Sequence, residues 1–82
     1  MAPTKIIIEE KMLDKEKVLG MAWPHQRRIE IDSRLPSKQY LNTLIHELLH
    51  IFNPEWPENK IAETANEMSE VIWSRDYRRI KP

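Results

Sequence analysis

TLIHELLHIFNPEWPEN, residues Thr43 to Asn59, contains the end of one predicted helix and the start of another. The apolar residues between Tyr40 and Phe52 recur at about 100° per residue, which indicates a helix with one broad apolar face. Ser37 precedes this pattern and is predicted to be the helix N-cap. These positions give the strongest helical signal in the chain, so the other elements are placed relative to them.

Two prolines set the boundary between this helix and the next one. Pro54 disfavours helical backbone at the residue before it, so the first helix should end near Asn53. Pro57 suits the first turn of a second helix, because the backbone N–H that proline lacks would be unpaired there anyway. An apolar stripe at helical spacing then predicts a helix that extends to about Arg75. The stripe consists of Ile61, Ala65, Met68 and Ile72.

Three segments before the helices have the composition of strands. They are residues 5–11 (KIIIEEK), 17–23 (KVLGMAW) and 27–32 (RRIEID). In the last of these, Ile29 and Ile31 alternate with charged residues, which is typical of a strand with one buried face. The tripeptide PHQ between the second and third segments predicts a short hairpin connection. We therefore expect a single domain over residues 1–82, of the α+β class, in which a small antiparallel or mixed sheet of two or three strands packs on two helices.

Composition excludes several classes of protein and of site. The 82 residues include no cysteine, which excludes disulfides and thiolate metal sites. Thirteen basic residues balance thirteen acidic residues, and a net charge of zero disfavours nucleic acid as a partner. No apolar run approaches the roughly 18 residues of a membrane-spanning helix, and the N-terminal segment lacks the features of a signal peptide. A cytoplasmic protein without membrane association is expected.

His46 and His50 lie four residues apart in the first predicted helix, with Glu47 next to the first of them. Residues at this spacing differ by about 40° around the helix axis and by about 6 Å along it, so both imidazoles can reach one ion. On a helical wheel they lie opposite the main apolar arc, which weakens the interpretation that they are buried structural histidines. Glu47 lies about 100° from His46, where it can reach a water at the ion without binding the ion itself. The pattern therefore predicts a zinc site with a glutamate general base.

The third metal ligand has to come from a carboxylate or from His25, because no histidine follows His50. A catalytic zinc ion usually has three protein ligands, and two histidines with one glutamate form a known set. On the wheel of the second helix, Glu58 lies near the apolar stripe, whereas Glu63 lies near the opposite face. This comparison favours Glu58, although a glutamate in the first turn of a helix can also serve only the helix dipole.

The motif HELLH (His46–His50), preceded by IEIDSRL and followed by a second helix, resembles the minimal zincin core. Among zincins, the chain is most similar to the very small metallopeptidase-domain proteins of SprT-like or minigluzincin type, which are often encoded by phages. The resemblance extends from about Leu19 to Ile80, but only the motif is specific. It implies proteolysis, and it implies an edge strand beside the motif helix that receives the substrate as an added strand, a place that residues 27–32 would occupy. No Gly-x-x-His follows the motif, which separates the chain from metzincins.

The residues and the resemblance together predict a zinc-dependent metallopeptidase that acts on a peptide or protein substrate. His46, His50 and Glu58 would bind the zinc ion (Zn2+), and Glu47 would be the general base. Glu63 or a water could be the third ligand instead of Glu58. The resemblance favours a glutamate, since gluzincin-like families take a glutamate ligand from a second helix. The chain is too short for a specificity subdomain, so a partner protein is a further expectation. The alternative function is a zinc-stabilised protein-binding module without turnover.

Three further residues are weaker candidates for roles around the metal. Asp32, at a strand end, could orient a ligand histidine or simply belong to a turn. His25 and Tyr77 could each donate a hydrogen bond to a developing oxyanion, but residues of these types in loops and late in helices are more often surface or packing residues.

Overall fold

The computed structural model describes residues 5–14 and 18–80, which form a three-stranded sheet and two α-helices. In chain order the elements are β1 (Ile7–Lys11), β2 (Gly20–Trp23), β3 (Arg28–Asp32), α1 (Ser37–Phe52) and α2 (Glu58–Ser74). Strands precede helices and the sheet is mixed, so the predicted α+β class is confirmed. Residue 17, the predicted start of the second strand, lies outside the described residues. Within the described ranges, no helix has the length and apolarity needed to cross a membrane.

The strand order is β1-β3-β2, with β3 parallel to β1 and antiparallel to β2. A 3-10 turn, Pro24–Gln26, connects β2 to β3, and Arg27 after it has left-handed backbone (φ 48°), so the hairpin predicted at PHQ is confirmed. The edge position predicted for residues 27–32 is wrong, because β1 pairs with the side of β3 that β2 leaves free. Among the described strands, β2 is instead the edge strand that packs against α1.

The helix boundaries agree with the predictions to within one residue. α1 ends two residues before Pro54, and α2 begins directly after Pro57 and is capped by Arg75. The predicted N-cap is wrong by one position. Pro36, with extended backbone (ψ 156°), is the N-cap, and no side-chain hydrogen bond caps the helix there. Ser37 is the first residue of α1.

α1 lies between the sheet and α2, so it has two buried sides. On the sheet side, Ile51 packs with Ile29 and Ile31, both of which are fully buried. Ile45 is also buried, and it lies about 120° around the helix axis from Ile51, toward α2. The predicted single apolar arc is therefore divided between the interface with the sheet and the interface with α2. Phe52 was predicted to belong to the arc, but it lies at the end of α1 and is 61% exposed. The two histidines lie on the strip of α1 between these interfaces.

Replacing Ile31 by valine should lower the free energy of unfolding by about 0.5–1.5 kcal/mol, because the change removes one methylene from a fully buried position. Ile8 provides the matched control, since it lies in the adjacent strand β1 and is 44% exposed. The Ile8→Val change should lower the free energy of unfolding by less than about 0.5 kcal/mol. Urea unfolding of both variants measures the difference, and equal losses would contradict the assigned core.

Candidate metal centre

α1 and α2 run antiparallel, and the turn between them brings the start of α2 alongside the end of α1. Glu58, the first residue of α2, lies across both histidines: its Oε1 is 2.6 Å from Nε2 of His46, and its Oε2 is 2.9 Å from Nε2 of His50. The two imidazole centroids are 5.1 Å apart. The structure therefore brings together the three residues that the helical wheels favour as a ligand set.

The donor atoms of these three residues are close enough together to hold a metal ion. One donor atom from each of His46, His50 and Glu58 lies within 4.8 Å of the other two. A tetrahedral ion with bonds of about 2.0–2.1 Å holds its ligand atoms roughly 3.4 Å apart. The contacts of 2.6 and 2.9 Å are shorter than that spacing, so the Glu58 side chain, which is 67% exposed, would have to shift away from the histidines to bind an ion with them. Two imidazole nitrogens with one carboxylate also match the chemistry of catalytic zinc sites.

Glu47 follows His46 on α1 and is only 7% exposed. Burial raises the pKa of its carboxyl group to about 7; His46 opposes this shift, and the negative charge of Glu58 adds to it. Glu47 is not among the three residues that group around the candidate ion position. It is therefore adjacent to the ligand set without belonging to it, which is the arrangement expected of a general base.

A cleft of about 280 Å³ lies beside the histidines, between the edge of the sheet and α1. Its lining includes His46, Glu47 and Glu58, together with Val18, Leu19 and Gly20 from the edge of the sheet. The side chains of Val18 and Leu19 are 40% and 46% exposed. A molecule in this cleft would touch the candidate base, two of the candidate ligands and an apolar rim at the same time.

Sequence reasoning missed the contribution of β2 to this cleft. Gly20, its first residue, is the only glycine in the chain, and a lone glycine in a strand is a signal of close backbone approach. The sequence does not indicate what approaches it, because the neighbours of Gly20 are Thr43 and Glu47, which are more than twenty residues away in the chain.

The other candidate ligands, Glu63 and His25, and the candidate oxyanion donor Tyr77 lie elsewhere. Glu63 is exposed on α2 and borders a surface depression on that helix. His25 is exposed in the turn between β2 and β3. Tyr77 is 71% exposed and follows the C-terminal end of α2, whereas Glu58 is at its N-terminal end. Among the described residues, the group that could hold a metal ion includes neither Glu63 nor His25.

Asp32 is buried at the end of β3, where its carboxylate accepts hydrogen bonds from the guanidinium and backbone N–H of Arg34 and from the backbone N–H of Leu13. The hydrogen bonds from Arg34, first of all those from its side chain, hold the pKa of Asp32 well below its usual range. These contacts fix the turn after β3, so the turn interpretation of Asp32 is correct and the orientation of a histidine is not its role.

Comparison with protein-family models, with curated proteins and with solved structures finds no match to this chain. The resemblance to minimal zincins therefore stays a prediction, and only the geometry of the site bears on function. That geometry consists of the histidine and glutamate cluster, the neighbouring Glu47 and the cleft.

The protein should bind one zinc ion, and His46→Ala or His50→Ala should abolish that binding, because either change leaves only two protein ligands. Elemental analysis after dialysis measures the stoichiometry, with His25→Ala as the control that should retain the metal. EDTA should also lower the melting temperature of the wild type, since the ion binds only the folded state. Stoichiometric zinc in the protein that lacks both His46 and His50 would contradict the site.

Glu58→Gln should weaken zinc binding by more than the roughly 10–100-fold that is typical of losing a residue that only orients a ligand. Glu63→Gln makes the same chemical change on the same helix, away from the histidines, and should leave zinc affinity unchanged. Competition with a chromogenic chelator measures both affinities. The reverse order would show that Glu63 completes the site in solution.

Proposed function

We propose that this chain is a zinc-dependent metallopeptidase. The observation that carries the proposal is a cluster of three side chains that could hold a metal ion, next to a buried glutamate that is separate from them and lines one cleft together with His46 and Glu58. His46, His50 and Glu58 would hold the ion, and Glu47 would be the general base. A closed structural site has no use for an additional carboxylate, and burying one without a use lowers stability.

A zinc ion held by these residues would lower the pKa of a bound water to about 7 and would polarise a peptide carbonyl. Glu47 accepts the proton of the water that attacks the carbonyl carbon, and it later donates that proton to the leaving amine. Its burial between α1 and β2 keeps the carboxylate in one position for both transfers. The histidines and Glu58 take no part in proton transfer.

Strand β2 is the element that would bind an extended peptide. Among the described strands it pairs only with β3, so a substrate backbone can add to its other edge. Such a peptide would lie next to the base, because Gly20 and Glu47 line the same cleft. The exposed side chains of Val18 and Leu19 favour apolar residues in the substrate. A partner protein would supply any further specificity.

The size of the cleft favours a second candidate function, that of a zinc-stabilised protein-binding module. The cleft volume of about 280 Å³ lies just below the roughly 300–1,000 Å³ of typical ligand sites. In such a module the edge of β2 would capture a partner protein, and the metal would mainly stabilise a small fold. The two functions differ in the role of Glu47, which is dispensable in the module.

Glu47→Gln should keep the zinc and the fold but reduce peptidase activity by about 10²–10⁴-fold, because it removes a positioned general base. Digestion of a peptide library by zinc-loaded protein, with detection by mass spectrometry, measures this loss. Glu63→Gln is the matched control and should remain active, since Glu63 is exposed on α2 and does not line the cleft.

Two outcomes would reject the metallopeptidase. Cleavage that persists undiminished in the Glu47→Gln variant would assign the activity to another residue or to a contaminant. Absence of cleavage by the wild type, together with equal binding of one partner protein by the wild type and the variant, would support the binding module.

A further inference from the structure

Gly20 opens β2 and pairs with Ile31 of β3. Its φ is not positive, so a left-handed backbone does not explain a glycine at this position. Glycine inside a strand is otherwise unfavourable, because it has no side chain to pack and it loses more backbone entropy on folding than other residues do. The only glycine of the chain therefore requires a steric explanation.

The space beside Gly20 is occupied by two residues of α1. A methyl carbon at Gly20 would lie 2.8 Å from Cγ2 of Thr43 and 3.1 Å from both Cγ and Oε2 of Glu47. Non-bonded carbon atoms prefer a separation of about 3.5–4.0 Å, so any side chain at this position would displace its neighbours. Thr43 and Glu47 are one helical turn apart, and both are buried, so displacing either one disturbs the packing between α1 and the sheet.

We propose that Gly20 is a positioning residue for the glutamate base. Because it has no side chain, β2 lies directly against Glu47 and holds the carboxylate beside His46 and Glu58. This inference rests on the general-base function proposed for Glu47. A displacement of about 1 Å in a catalytic arrangement can lower the rate on the order of a hundredfold, so the contact bears on activity as well as on packing.

A packing role alone is the competing explanation, because the shortest distance from Gly20 involves the methyl group of Thr43. Removing that methyl group distinguishes the two explanations. Thr43→Ser removes Cγ2, so in a Gly20→Ala background it relieves the 2.8 Å contact and leaves both contacts with Glu47. A packing role predicts that stability and activity recover together, whereas a positioning role predicts that stability alone recovers.

The test compares zinc-loaded Gly20→Ala, Thr43→Ser and the double variant. In Gly20→Ala, kcat should fall roughly ten- to a hundredfold. Zinc affinity should stay within about twofold of the wild type, since the contacted atoms belong to no candidate metal ligand. The double variant should regain the melting temperature but not kcat. Ile31→Val, in the neighbouring strand β3, should lower the melting temperature and leave kcat unchanged, because Ile31 is fully buried in the core cluster.

Binding of acetohydroxamate provides a readout that does not need turnover. A hydroxamate chelates zinc and shares its hydroxyl proton with a nearby carboxylate, so its affinity reports the position of Glu47. The affinity should fall in both Gly20→Ala and Glu47→Gln, and it should be unchanged in Thr43→Ser.

Wild-type kcat or wild-type hydroxamate affinity in Gly20→Ala, or recovery of kcat in the double variant, would overturn the positioning role. If the wild type cleaves no peptide but the hydroxamate affinities follow the expected order, the metallopeptidase function fails while the positioning role of Gly20 is supported.

Discussion

The tight turn between α1 and α2 is the constraint on which the candidate site depends. Pro54 stops α1, and the N–H of Trp56 donates to the carbonyl of Asn53 at 3.0 Å, which closes the turn. Pro57 then allows α2 to begin at the next residue. Glu58 therefore lies within one short turn of the histidines, and its carboxylate reaches both of them. A short connection also keeps the entropy of loop closure small, which matters in a chain with a modest core.

The position of α1 between two packed layers explains the electrostatics of the site. A helix packed on one side only would expose its charged strip to water, whereas here the strip is enclosed by β2 on one side and α2 on the other. Glu58 forms a hydrogen bond with His46, and its second oxygen lies 2.9 Å from Nε2 of His50. For Glu47 the opposing interaction with His46 is smaller than the effect of burial, so its raised pKa expresses the free energy lost by burying a carboxylate. Binding of a cation at the cluster would offset that loss, which links the metal to the stability of the fold.

Features that depend on local periodicity were predictable from the sequence, and features that depend on packing partners were not. Helix limits followed from proline positions, and the choice of Glu58 over Glu63 followed from one helical wheel. The order of the strands did not follow, because alternation in residues 27–32 identifies a buried face but not the neighbouring strands. The role of Asp32 could not be predicted, because it depends on hydrogen bonds from the side chain of Arg34, which is near in sequence but folds back across the turn. The importance of Gly20 depended on a contact with a helix that begins seventeen residues later.

The edge of β2 would have to bind a peptide and also avoid unwanted pairing with other chains. An exposed strand edge invites pairing with other chains, and folded proteins limit that risk by keeping edge strands short. β2 has four residues and is followed directly by Pro24, which has no N–H to offer a further partner. The stretch available for pairing is therefore brief, and a peptide bound there would be held by few backbone hydrogen bonds. Affinity for a substrate would then depend on the apolar contacts of Val18 and Leu19 and on the metal itself, so a site of this size favours broad recognition of short extended segments over recognition of a long sequence.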